Sequence, residues 1–73
     1  MSKDEYLAVA RKIKAMIQDY NDLFGMIAGR IPKTSKTFNF LRSVGSALNK
    51  LYYQLETDFL NKFPDAEVNE YGK

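Results

Sequence analysis

From Tyr6 to Ile31 the apolar residues recur at alternating steps of four and three: Tyr6, Ala10, Ile13, Ile17, Tyr20, Phe24, Ile27 and Ile31. A helix of 3.6 residues per turn gathers all of them on one face, whereas the two-residue period of a strand scatters them over both. Val9, Met16 and Leu23 widen the stripe to one side. A second run keeps the same rhythm and places Phe38, Leu41, Val44, Leu48, Leu51, Tyr52, Leu55 and Phe59 together. The chain is therefore expected to be all-α, with two long amphipathic helices.

Local signals mark where each helix begins and stops. Ser2-Lys3-Asp4-Glu5 has the form of a capping box, in which the serine hydroxyl and the glutamate carboxylate each take up a free amide of the first turn. Helix one is expected over about 3–28, with Asp4 and Glu5 near its start and Arg30 near its end to complement the backbone dipole. Gly29 suits the left-handed cap position, and Pro32 disfavours helix at Ile31. The turn covers about 29–34. Helix two is expected over about 35–63, capped by Thr34 or Ser35 and ended by Pro64. Within it, Gly45 costs about 1 kcal/mol relative to alanine, which points to close approach by another backbone. Residues 64–73 are short, polar and acidic, and read as an extended tail beyond a single domain at 1–63.

At 1.5 Å per residue each helix is roughly 40 Å long, and a short turn makes them antiparallel neighbours. The result is a helical hairpin. The chain has 73 residues, no cysteine and no histidine, so disulfides and the commonest metal sites are not available to support so thin a core. Association is the remaining route, and the expected assembly is a homodimer in which two hairpins complete a four-helix bundle.

Charge is distributed unevenly. Between Leu23 and Leu55 the charged residues are Arg30, Lys33, Lys36, Arg42 and Lys50, a segment of +5; residues 1–22 sum to zero and residues 56–73 to −3. In a hairpin, Arg30, Lys33, Lys36 and Arg42 gather at the turn together with Thr34 and Asn39, groups that hydrogen-bond phosphate oxygens or base edges. Phe40 lies at the edge of its stripe, where a ring is free to stack on a base. Residues 27–42 also overlie the spacing of a DNA-binding helix-turn-helix. Ala28 falls at the helix crossing, Thr34 at the cap, and Ser35, Lys36, Asn39 and Arg42 toward a major groove, although Pro32 and Lys33 depart from that pattern.

Without Cys or His, thiol nucleophiles and imidazole bases are excluded. The neighbouring carboxylates Asp19 and Asp22, or Glu56 and Asp58, are expected off the apolar faces and read as solvated surface, not as an acid–base pair. No glycine-rich phosphate loop is present. The reading is non-enzymatic, with no cofactor, metal or small-molecule substrate. Apolar residues left off the main stripes (Met26, Tyr53, Leu60) mark a protein-contact face. The expected function is that of a small regulatory or inhibitory protein bound to another protein, and the alternative is nucleic-acid binding through the basic segment Arg30–Arg42. A third reading is a subunit that associates only with itself. With no apolar run of about 20 residues and no apolar leader, the expected location is cytoplasmic and off the membrane.

Overall fold

In the computed structural model, which describes residues 1–71, the chain forms α1 (Lys3–Ile27), α2 (Lys36–Lys62) and one 3-10 turn (Val68–Glu70). The ends of α1 and α2 fall within a residue of the positions read from the sequence. At the start of α1 the Ser2 amide donates to Glu5 Oε1 at 2.9 Å and the Glu5 amide donates to Ser2 Oγ at 3.2 Å, completing the capping box. The Ser2 amide first, and the nearby Ser2 hydroxyl second, hold the Glu5 carboxyl below its ordinary value of 4.5. Ser35, and not Thr34, caps α2: its Oγ accepts from the Phe38 amide at 3.1 Å. Gly29 adopts φ 84°, the left-handed geometry that ends α1. Arg30 falls in the turn beyond α1, whose last turn carries no basic residue.

Ring contacts fix the relative direction of the helices. Tyr6, at the start of α1, meets Phe59 and Phe63 at the end of α2, with centroids 5.9 and 6.0 Å apart; Phe24 meets Phe38 at 5.7 Å near the turn. The helices are thus antiparallel and packed along their length in a rod of 47 × 18 × 17 Å. This side-by-side hairpin overturns the helix-turn-helix overlay, because that motif sets its two helices at roughly 90–120°. Among the described residues no helix is long and apolar enough to cross a membrane.

Gly45 is buried for a different reason from the one expected. A methyl built there would collide with the Tyr20 ring, so the glycine makes room for a side chain of α1 and not for its backbone. On either side of this contact the seam is filled by Ile13, Phe38 and Leu41, and by a cluster centred on Ala10, Phe59 and Tyr71.

Residues 64–71 are not extended as the sequence implied. After Pro64 the Ala66 amide donates to the Phe63 carbonyl at 3.0 Å, the chain turns back, and Glu70 forms a 2.9 Å salt bridge with Lys3. Tyr71 is buried, with its ring 4.8 Å from Tyr52 and 5.9 Å from Phe59, and its hydroxyl donates to the Tyr52 carbonyl at 2.5 Å. Burial, followed by the neighbouring Tyr52 and Glu56, pushes the Tyr71 hydroxyl up to about 12. An acidic, polar segment thereby supplies one wall of the apolar core.

Candidate functional site

Two surfaces differ from an ordinary solvated exterior, and they lie on different parts of the hairpin. The first is the turn. Arg30, Lys33 and Thr34 stand in the connection between α1 and α2, while Lys36, Asn39, Phe40 and Arg42 occupy the first two turns of α2. All seven are exposed, Phe40 at 71%. None of the four cations forms an ion pair among the described residues, and no acidic residue lies between Asp22 and Glu56 in the chain. Farther along α2, Asn39, Arg42, Ser43 and Ser46 line a shallow cleft of about 330 Å³. Phe38, by contrast, is core and unavailable for stacking.

The three apolar residues taken together as a protein-contact face do not form one. Met26 is exposed near the end of α1 and Tyr53 on the outer side of α2, but Leu60 is half-buried and packs against the cluster that contains Tyr71. Leu60 thus belongs to the cluster that the C-terminal segment joins through Tyr71.

The second surface lies along the hairpin itself. The helices meet through a central seam with a flank on each side. On one flank Leu7, Tyr52, Leu60 and Ala66 pack around Ala10, Phe59 and Tyr71, so residues 64–71 act as a roof. The opposite flank carries Val9, Met16 and Leu23 from α1, each seven residues from the next, and Val44 and Leu51 from α2, also seven apart. Seven residues are close to two helical turns, so each set forms a straight row along its helix. These side chains were read from the sequence as part of the closed stripes. Instead Met16 is 51% exposed, Leu23 44%, Val44 50% and Leu51 49%. Between the rows lies a largely apolar groove of about 390 Å³ lined by Met16, Tyr20, Leu23, Leu41, Val44 and Leu48, and also by Asp19, which the sequence placed off the apolar faces.

The open flank has a readable cause in the sequence. A helix with three apolar positions per heptad presents a face wider than one neighbouring helix covers. Both helices here have that width, so a two-helix hairpin must leave apolar surface over. The sequence reveals the surplus, but the side on which it appears depends on where residues 64–71 settle.

Among the described residues no group of three or more acidic side chains is placed to hold a metal ion. Comparison with known protein families, with curated proteins and with solved structures returned no match.

Proposed function

We propose that this chain is a non-enzymatic helical binding protein that acts by docking the open flank of its hairpin onto a helical face of a protein partner, in a regulatory or inhibitory capacity. The observation that carries this reading is the double row of half-exposed apolar residues, Val9, Met16 and Leu23 beside Val44 and Leu51. Soluble monomers seldom leave so continuous an apolar strip in water, and burying it follows the helix-in-groove mode of recognition. A second hairpin is one form such a partner takes, and two hairpins joined there make a four-helix bundle.

A second reading, nucleic-acid binding, is favoured by one specific observation: the acid-free stretch around the turn presents Lys36 one helical turn from an exposed Phe40, with Arg42 in the cleft beside Asn39 on another face of the same helix, a combination of phosphate contact and stacking ring. It requires no helix-turn-helix. One experiment separates the two readings: the tagged chain is used as bait in extract of its source cell, with and without nuclease, alongside Leu23→Lys and Arg42→Glu variants. Docking through the flank predicts a protein retained after nuclease and lost with Leu23→Lys. Capture abolished by nuclease or by Arg42→Glu, and untouched by Leu23→Lys, would replace the first reading with the second.

A further inference from the structure

We infer that the occupant of the open flank is a second copy of this chain, stacked head to tail so that the two turns lie at opposite ends of the assembly. This rests on the flank being a docking surface, as proposed above, and adds the identity and register of the partner.

The first argument is area. The chain exposes 5375 Å², whereas a folded monomeric protein of 8.4 kDa is expected to expose about 4600 Å². The surplus, on the order of 800 Å², follows from the rod shape and equals what each partner contributes to a stable interface of standard size. Pairing two rods along their long sides removes such a surplus.

The second argument is symmetry. A two-fold interface brings the same patch of both copies together, so each residue on one side of the axis must suit its mirror position on the other. On α1 the row Val9, Met16, Leu23 is centred on Met16. An axis there stacks α1 on the partner's α1 in opposite directions and sets Val9 over the partner's Leu23. The cross-hairpin contacts Tyr6 to Phe59, Tyr20 to Gly45 and Phe24 to Phe38 put Met16 level with about Leu48 on α2. Val44 and Leu51 are centred on that same level. One axis therefore pairs both rows at once, with Val44 over the partner's Leu51.

Charge selects this arrangement over the reverse. Lys12 and Asp19 border the α1 row on either side of Met16, and neither has an ion-pair partner among the described residues. Head-to-tail stacking places Lys12 opposite the partner's Asp19, and Asp19 opposite the partner's Lys12. It also separates the two basic turns by the length of the rod, 47 Å. Setting both turns at one end would instead crowd Arg30, Lys33, Lys36 and Arg42 of both copies, and like charges that close repel.

Because the chain has no cysteine of its own, an introduced one reports proximity cleanly. Sedimentation of the full chain should give a dimer that Leu23→Lys dissociates, raising the dissociation constant by at least about a hundredfold. Lys12→Asp should weaken the dimer by about tenfold, and Lys12→Asp combined with Asp19→Lys should restore it. Circular dichroism verifies that each variant stays helical. Under a short bis-maleimide linker, Met16→Cys should join to itself, the mark of a residue on the axis. Joining of Met16→Cys to a Leu48→Cys chain, with no Met16 self-linkage, would overturn the head-to-tail register. A wild-type chain that is monomeric at high concentration overturns the second copy as occupant, while leaving the flank reading to stand if Leu23→Lys still abolishes capture of another protein. A dimer indifferent to Leu23→Lys overturns both.

Discussion

The two flanks of the hairpin are made from the same kinds of residue, yet one is roofed and the other bare. Tyr52, Leu55 and Leu60 pack against a cluster in which Phe59 is joined by Tyr71 from the returning segment, which closes over Tyr52. Met16, Leu23, Val44 and Leu51 stay about half exposed, with no segment among the described residues packed over them. Apolar character thus does not by itself distinguish core from contact surface in a small helical protein. What distinguishes them is which of two equivalent sides residues 64–71 return to cover.

The contrast should appear first in stability. Phe59→Ala, at the fully buried centre of the roofed side, is expected to cost about 3–5 kcal/mol, enough to unfold a domain this small at ordinary temperature. Chemical denaturation monitored by circular dichroism measures it; a loss below about 1 kcal/mol would mean that the roofed cluster is not the core. Gly45→Ala should cost about 1–3 kcal/mol by forcing the Tyr20 ring out of its place, and Tyr20→Ala in the same chain should recover part of that loss. Tyr71→Phe keeps the ring and removes the bond to the Tyr52 carbonyl, for a loss of about 1 kcal/mol and faster amide exchange across the roofed flank. Met16→Ala on the bare side should change the stability of the isolated monomer by no more than about 1 kcal/mol while weakening whatever binds there.

Titration sharpens the same comparison. The Tyr71 hydroxyl is raised from 10.0 to about 12 in the folded chain, so its contribution is fully present below pH 10 and is lost as pH climbs toward 12. Absorbance at alkaline pH should show Tyr71 ionising late, together with release of the roof; ionisation at the ordinary tyrosine value would mean that the ring is not buried. At the other end of the scale, the depressed Glu5 carboxyl contributes above its ordinary value of 4.5 and loses that contribution as acid protonates it. Loosening confined to the first turn of α1 is the expected sign, and Glu5→Gln, which has no carboxyl to titrate, should remove it.

Much of the frame was legible because its signals are local. Ser2 and Glu5 meet each other three residues apart, Gly29 carries its own turn geometry, and Pro64 stops a helix without help from distant residues. Periodicity likewise placed Ile13, Phe38, Leu41 and Phe59 in the seam. The roof was not legible, since Tyr71 is a single aromatic in a polar, acidic segment with no repeat to announce burial. Its hydrogen-bond partner lies nineteen residues away. Leu60 was misread for the same reason: an off-stripe position looks exposed until a third segment joins its cluster. Val44 and Leu51 failed in the opposite sense, because a wide stripe does not say which of its edges a single neighbour covers. The seven residues of the turn surface were locatable from the sequence as a group, since a hairpin brings together whatever flanks its bend.

The Tyr71 hydroxyl closes the roofed flank only after everything beneath it exists. Translation delivers α1, then α2, and then the segment that carries this tyrosine. Until that segment leaves the ribosome, a nascent hairpin has two greasy sides and no means of telling them apart. Its arrival leaves one sticky face in place of two, so the place where Tyr71 docks fixes which side of the rod is offered to company.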